Sequence, residues 1–348
     1  MEKRCSKYDK GRNLFSLSRP AVLAEILLSI TPAFVSCTMA GTASEDPDIP
    51  VQIQLTRSAK GSLNSLDIFF FNNDPLQRLD AYQRIENCPA SAVNGYSRSG
   101  EKRLALLANA SGDKYTWSRI QSFPSLEGIR CRLDRENPAS PVMSGTNTLQ
   151  AGTDRFCPIA LDPLLCRIVL GSISCDFHER PYKGASLENV KVYLTNVSAS
   201  TPPFPDSEHS VMEELLNPGR LDSAAVAALS HPEMVFAELG QSVGLGLVSP
   251  DLELYCYPNN PAGDDLGAPP TRLVIEGELQ GETYYYPITL ADRKELPEGL
   301  VRGTTLRLDV TLTRRGTKDP DVPADPSSLN IRFEPQPWSE QPGQIIRF

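Results

Sequence analysis

Leu306-Arg-Leu-Asp-Val-Thr-Leu312 is the stretch that decides the fold, because apolar and polar residues alternate along it without a break. Successive side chains of a β-strand point to opposite faces of the sheet. One face of this stretch is therefore apolar and the other is polar. A shift of one residue would bury the polar face, so the register is well specified. The stretch predicts a half-buried strand that lies over a core.

Strand patterns continue on both sides of this stretch. Leu273–Leu279 and Tyr284–Leu290 flank Gln280-Gly281-Glu282, which is a hairpin signal. Toward the C-terminus, Leu329-Asn-Ile-Arg-Phe333 alternates again and precedes Trp338. The alternation in the tyrosine-rich strand predicts that Tyr284 and Tyr286 face the core and that Tyr285 is exposed.

The first half of the chain has the same character. Val51-Gln-Ile-Gln-Leu55 alternates strictly, and Leu66-Asp-Ile-Phe-Phe-Phe71 is a continuous apolar run typical of a strand covered on both faces. Further strands are predicted at Leu79–Tyr82, Arg103–Asn109, Cys157–Leu161, Leu164–Phe177, Val190–Val197 and Leu252–Tyr257. Many short strands, with 30 prolines and 23 glycines in the chain, predict an all-β protein built from antiparallel sandwiches.

A few segments interrupt the strand pattern. Tyr115–Arg132 has a mostly helical character that we expect to break at Pro124, and Pro138–Gly145 is a predicted loop. Residues 204–246 form a long insertion bounded by prolines, in which Val211–Leu216 and Ser223–Leu229 are predicted as short helices. These segments are short compared with the predicted strands, so the prediction of an all-β protein stands.

The N-terminus has the order of a secretory signal. Six basic residues within the first twenty precede an apolar run over residues 21–30 and then small residues that lead to Cys37. The apolar run is too short for a membrane-spanning helix, which needs about 20 residues. Phe34-Val-Ser-Cys37 resembles a bacterial lipobox, although Glu25 interrupts the apolar run. Cys37 is therefore the candidate lipidation site.

Two other interpretations of the leader stay open. The segment is either an ordinary cleaved signal with an incidental cysteine or a buried N-terminal helix. With lipidation at Cys37, the expected organisation is a signal peptide at 1–36 and a flexible tether at 37–50. An N-terminal β-sandwich domain at 51–154 and a C-terminal one at 155–348, which contains the 204–246 insertion, then follow.

The charge balance excludes one class of partner. The chain has 34 basic and 43 acidic residues, and residues 1–36 hold six basic and three acidic ones, so the remainder has 28 and 40. An acidic protein without a basic patch is unsuited to nucleic acid or to an anionic membrane surface. We expect neither as a direct partner.

The sequence contains no convincing catalytic or metal-binding constellation. Its three histidines, His178, His209 and His231, lie far apart, and the cysteines form no C-x-x-C pair. Gly240–Gly246 superficially resembles a phosphate-binding loop but lacks the Lys-Ser/Thr ending. There is no G-x-S-x-G nucleophile elbow. We therefore expect no enzyme activity, no metal and no cofactor, and a secreted hydrolase is the weakest hypothesis.

Taken in order, these features resemble the fimbrillin family of Bacteroidia, whose members are lipoprotein-derived subunits of type V pili. The resemblance covers nearly all of the chain after Cys37 and rests on the order of several motifs. These are Leu66–Phe71 with the following Asn/Asp-rich turn, Ala108-Asn109, Pro141–Gly145, Cys166-Arg-Ile168, Val190–Val197, Tyr255–Asn260, Tyr286-Pro-Ile288, Leu300–Thr304, Leu306–Leu312 and Trp338. The chain departs from the family in Gly303, where Asn is frequent, and in the long 204–246 insertion.

The resemblance implies two transthyretin-like β-sandwich domains and a role at the cell surface. In that family a subunit travels to the outer membrane as a lipoprotein. An arginine-specific protease removes its first strand, and a C-terminal strand of another subunit fills the groove. Other fimbrial subunits, the outer membrane through the N-terminal lipid, and a host or bacterial surface ligand are the implied partners. The implied functions are assembly of a fimbrium and adhesion.

The sequence supplies a candidate for each of these parts. Val51–Leu55 is the candidate removable strand, and Arg57 is the candidate processing site. Alternatively, Arg57 is an ordinary loop arginine and the strand stays, as expected of an anchor subunit. The candidate donor-strand residues are Leu329, Ile331, Phe333, Ile345, Ile346 and Phe348. Both donor segments have a simpler alternative, an edge strand of the second domain.

A different class of function stays open beside the fimbrial one. A surface lipoprotein that binds glycans would use an exposed aromatic cluster on one face of a sandwich. Tyr285 together with Trp117 or Trp338 is the candidate for such a cluster.

Overall fold

The computed structural model describes residues 48–57, 63–88, 91–111, 115–178, 181–204, 214–259, 269–291, 299–325 and 328–338. The first half of this part contains β1 (Ile49–Arg57), β2 (Ser65–Asn72), β3 (Leu79–Glu86), β4 (Ala92–Ser97), β5 (Gly100–Ala108), β6 (Cys131–Arg132), β7 (Met143–Ala151) and β8 (Phe156–Pro163). The second half contains β9 (Cys166–Cys175), β10 (Glu188–Thr195), β11 (Val197–Ser198), β12 (Ser200–Thr201), β13 (Leu215–Leu216), β14 (Phe236–Glu238), β15 (Leu252–Cys256), β16 (Arg272–Leu279), β17 (Glu282–Thr289), β18 (Thr304–Leu312) and β19 (Leu329–Pro337).

The strands of the first half form one sheet in the order β3-β2-β5-β7-β8-β1-β4. β7 and β8 share only two residue pairs, Met143 with Pro163 and Ser144 with Asp162. The short joint lets the sheet fold over, so that the ring of Phe70 in β2 occupies the space where a side chain at Gly95 in β4 would lie. The two parts of the sheet therefore face each other as a sandwich, as the sequence predicts.

The second half is built from two four-stranded sheets, β14-β10-β16-β17 and β15-β9-β18-β19. Their inward apolar side chains join the same buried cluster as those of the first sheet. The strands pair antiparallel in the described part of the chain, except that β1 runs parallel to β8 and β9 runs parallel to β18. The described residues belong to one compact unit, and the division into domains at residues 154 and 155 stays a prediction.

The deciding stretch lies in β18 and has the expected register. Leu306, Leu308, Val310 and Leu312 are buried, whereas Arg307, Asp309 and Thr311 are half-buried. The hairpin of β16 and β17 is also confirmed. Gln280 and Gly281 have φ angles of 56° and 83°, which is the left-handed geometry of a tight hairpin turn.

Three local expectations are wrong. Leu215–Leu216, expected to end a helix, is a strand paired with β11. The next residue, Asn217, has a φ of 52°, a left-handed conformation through which a helix cannot continue. Pro138–Gly145 is a loop only as far as Met143, where β7 begins. Pro124 does not break a helix: it lies in the first turn of the short helix α1 (Phe123–Glu127), where its missing N–H has no helical partner to lose.

The second predicted helix of the insertion is present. Helix α2 (Ser223–Ala227) begins after Asp222, whose carboxylate accepts hydrogen bonds from the backbone N–H groups of Ala224 and Ala225. Residues 205–213, which include His209 and the start of the first predicted helix of the insertion, lie outside the described residues.

Candidate functional site

The candidate removable strand lies inside the first sheet, not at its rim. β1 pairs antiparallel with β4 on one side and parallel with β8 on the other. Val51 and Ile53 are fully buried and Leu55 is 7% exposed, whereas Gln52 and Gln54 face the solvent. β1 therefore contributes one continuous row of apolar side chains to the core between two neighbouring strands.

The side chains of β1 pack against the opposite part of the sandwich with little free space. A Cβ atom at Gly95 would lie 2.8 Å from the ring of Phe70 and 3.2 Å from Cδ1 of Ile53. Glycine at this position therefore lets Phe70 and Ile53 fill the space beside β4. Without β1, an apolar channel floored by Phe70 would open between β4 and β8.

Arg57 is the last residue of β1 and lies opposite Leu161 in β8. It is half-buried, and the residues that follow it, 58–62, lie outside the described residues. Burial raises the pKa of the Cys88 thiol, and the positive charge of Arg57 offsets only part of this rise. The structure thus places the candidate processing site at the exit of β1 from the sheet. Cleavage there stays a prediction.

The first candidate donor segment forms β19, at the edge of the sheet β15-β9-β18-β19. It pairs with β18 from Leu329 to Pro337. Leu329, Ile331 and Phe333 are half-buried and pack against the core, whereas Asn330 and Arg332 are exposed. Its apolar residues therefore have the same spacing as those of β1. The other candidates, Cys37, Ile345, Ile346 and Phe348, lie outside the described residues.

Two strands beside β1 or near it are absent from the sequence-based prediction. β4 buries Val93, Gly95 and Ser97 on one face, so the pattern of alternation is present but two of its three inward residues are small. β7 carries Thr146, Asn147 and Thr148 in its middle, and few apolar residues identify it as a strand. The alternation of buried and exposed residues in β4 could have predicted the strand, but Gly95 and Ser97 are not apolar, so a search for apolar residues does not detect it.

The three aromatic candidates for glycan binding do not form one platform. Trp117 packs edge-on against Phe69 at 5.6 Å between ring centroids. Trp338 is only 6% exposed and packs against Tyr255 at 5.6 Å. Tyr285 is half-buried, and its backbone N–H and C=O both bond to Thr317. The burial of Tyr284 and Tyr286 is confirmed, but Tyr285 is half-buried where exposure was predicted, and the exposed aromatic cluster is wrong.

Titratable groups offer little chemistry in the described part of the chain. No group of three or more His, Cys, Asp and Glu side chains there could hold a metal ion. His178 lies 3.2 Å from Asp176 and His231 lies 2.8 Å from Glu233, both near the surface. The six cysteines after Cys37 are buried thiols, and burial raises the pKa of Cys157 to about 11. These thiols are core residues.

The helices of the described residues were compared with the length and hydrophobicity of a membrane-spanning helix. None of the helices there is long and apolar enough to span a bilayer.

Comparison with known proteins gives no match to a family model and none to a curated protein. Solved structures do match. A fimbrilin (FimA) from Porphyromonas gingivalis W83 superimposes with a TM-score of 0.62 at 15% identity, over 84% of this chain and 98% of that chain. This chain has the fimbrillin fold.

Two further structures extend the likeness to the fimbrillin fold. A candidate cell adhesion protein from Bacteroides eggerthii matches with a TM-score of 0.61 at 15% identity, over 84% of this chain and 96% of its own. The tip fimbrial protein Mfa3 of P. gingivalis, truncated at its C-terminus, matches with a TM-score of 0.51 at 11% identity, over 84% and 100%. The resemblance inferred from the order of motifs is thus confirmed for the fold.

Proposed function

We propose that this protein is a non-enzymatic structural subunit of a cell-surface fimbria, exported as a lipoprotein and assembled by donor-strand exchange. The observation that carries the proposal is the place of β1 in the fimbrillin fold. A strand that supplies buried apolar side chains from between two other strands leaves a strand-shaped vacancy when it is removed. An added strand fills such a vacancy with backbone hydrogen bonds and alternate side chains.

The energetics favour refilling of the vacancy. Val51, Ile53 and Leu55 each contribute roughly 1.5–3 kcal/mol by being buried, and their loss leaves β4 and β8 with unpaired edges. A processed subunit that finds no donor is therefore poorly stable. The same edges and pockets become the binding site for the next subunit.

The segment from Leu329 to Phe333 has a suitable pattern for the donor. Its apolar residues occupy positions i, i+2 and i+4, as Val51, Ile53 and Leu55 do. β19 lies at a sheet edge and is only half-buried, so it costs less to detach than an inner strand. Ile345, Ile346 and Phe348 remain the second candidate donor set.

Processing at Arg57 is tested by treating the purified chain with an arginine-specific protease. We expect a new N-terminus at Ser58 and conversion of monomers to polymers, seen by N-terminal sequencing and electron microscopy. Arg57→Lys should stay monomeric under the same treatment. Arg98→Lys changes an arginine outside β1, exposed and next to β4, and should polymerise like the parent. Protein that is cut after Arg57 and stays monomeric would contradict strand exchange.

The donor segment is tested with substitutions in the processed protein. Ile331→Asn and Phe333→Asn should reduce polymer yield if β19 is the donor, whereas deletion of residues 344–348 should do so if the C-terminus is. Asn330→Ser lies on the exposed face of β19 and is the matched control. Full polymer yield from both donor variants would exclude donor strands at these two segments.

Lipidation at Cys37 is tested in the cell envelope of a bacterium that exports lipoproteins. The parent chain should partition into the detergent phase and carry acyl chains on its N-terminal residue, because two acyl anchors suffice for stable attachment. Cys37→Ala should lose both properties. A parent chain with an unmodified N-terminus and aqueous partitioning would show an ordinary cleaved signal instead.

A further inference from the structure

Three polar side chains from β2, β3 and β5 meet at one end of the first sandwich. The Nζ atom of Lys102 donates to Oδ1 of Asn72 at 2.6 Å and lies 3.0 Å from Oδ2 of Asp80. The side chains of Lys102 and Asp80 are only 3% and 5% exposed. An amine, a carboxamide and a carboxyl group are therefore in contact, with the amine and the carboxyl group almost fully buried and Asn72 half-buried.

The sheet itself brings these groups together. Asn72, the last residue of β2, lies directly opposite Lys102 in β5, so both side chains leave the sheet on the same face. Asp80 lies on β3, which borders β2 on its other side. Phe71 pairs with Leu79 and Phe70 with Ala81, so Asp80 is the extra residue of a β-bulge.

The position of Asp80 is fixed from a further direction. The backbone N–H of Arg98, in the turn between β4 and β5, donates to Oδ2 of Asp80 at 3.0 Å. The bulge and this hydrogen bond hold the carboxyl group against the amine. The geometry is thus maintained by backbone elements rather than by the three side chains alone.

The contacts place the amine where it can act as a nucleophile. Asp80 is the carboxyl group in contact with Nζ, at 3.0 Å, and can accept a proton from it directly. The free amine then lies within hydrogen-bond distance of the Asn72 amide oxygen, and a reactant held so close reacts as an intramolecular one.

We propose that Lys102 and Asn72 form an intramolecular isopeptide bond, with Asp80 as the proton-transfer group. The ammonium of Lys102 gives one proton to Asp80, and the neutral Nζ forms a bond to Cγ of Asn72. The bond between Cγ and Nδ2 then breaks. Nδ2 departs as ammonia with a second proton from Nζ that is relayed through Asp80. The products are a secondary amide, one ammonia molecule and a protonated Asp80, so no oxidant is required.

The cross-link would serve a subunit that carries load. It would join β2 covalently to β5, the two inner strands of one layer of the sandwich. The chain between Asn72 and Lys102 would then be a closed loop that stays closed when the sandwich opens. The three side chains lie on β2, β3 and β5 and not on β1 or β19, so none of them belongs to a strand that is exchanged between subunits.

Mass spectrometry of the full-length purified chain tests the bond. We expect a mass lower than that of the sequence by one ammonia molecule, about 17 Da. Trypsin should release residues 61–78 joined to residues 99–103, since a modified Lys102 is not cleaved. Recovery of residues 61–78 alone, together with residues 99–102 cut after an unmodified Lys102, would overturn the proposal without any variant being needed.

Variants separate the bond from other losses of ammonia, such as a succinimide at an asparagine. Lys102→Met and Asp80→Asn should each restore the full mass, and Asn73→Ser, a change at the exposed neighbouring asparagine, should keep the loss. Persistence of the loss in Lys102→Met would overturn the cross-link. Persistence in Asp80→Asn would overturn the role of Asp80.

Discussion

Gly145 lies where β7 passes close to β8, at the joint that folds the first sheet into a sandwich. A Cβ atom there would clash with the backbone carbonyl oxygen of Ala160, which cannot move aside as a flexible side chain does. Gly145→Ala should therefore lower the free energy of unfolding by about 3 kcal/mol, measured by urea denaturation. Gly246→Ala is the control, because its Cβ would meet open space. Equal stability of the two variants would contradict this role for Gly145.

Arg302 makes a second residue-scale contact, between the two halves of the fold. It is half-buried, donates to Oγ of Ser144 at 2.7 Å and to the carbonyl oxygen of Asp162 at 3.1 Å, and its pKa is lowered by burial. Arg302→Gln should lower the free energy of unfolding by about 3 kcal/mol, because buried acceptors lose their partner. The exposed Arg332→Gln should change it by less than about 0.5 kcal/mol. Thermal unfolding of both variants distinguishes them.

At the scale of elements, the strands that sequence reveals are those with strong apolar alternation, such as β1, β2, β18 and the hairpin of β16 and β17. β4 was missed because its inward positions include Gly95 and Ser97. The helix expected at Leu216 was wrong because Asn217 turns the chain. Local patterns record which side chains are apolar, but the place of β1 between β4 and β8 depends on pairings distant in sequence.

The hairpin turn of β16 and β17 gives a prediction at the same scale. Gln280 has a φ of 56°, a left-handed conformation that glutamine adopts less readily than asparagine. Gln280→Asn should raise the free energy of unfolding by about 0.5 kcal/mol. Gln241→Asn, in the loop before β15, should leave it unchanged. A lower melting temperature for Gln280→Asn would show that the side chain of Gln280, which donates to the carbonyl oxygen of Pro181 at 3.1 Å, outweighs the turn preference.

For the whole molecule, the buried thiols make stability depend on alkaline pH. Burial raises the pKa of Cys131 and of Cys175 to about 12, from 9 for an ordinary thiol. Between these values the unfolded chain loses thiol protons that the folded chain keeps. The folded state then binds more protons, so stability falls as pH rises. Below about pH 8 both states keep these protons, and the contribution of the thiols is constant.

The urea midpoint should therefore stay level from about pH 7 to pH 8 and fall between about pH 9 and pH 11. Cys175→Ala should make the fall shallower, because it removes one thiol whose proton the fold retains. Leu247→Ala, at a strongly exposed apolar residue, is a control that should leave the slope unchanged. The same burial predicts that thiol reagents label the native protein slowly at pH 8 and label it fully once urea unfolds it. Rapid labelling of the native protein would mean that the sandwich opens readily, and the alkaline fall would then have a different origin.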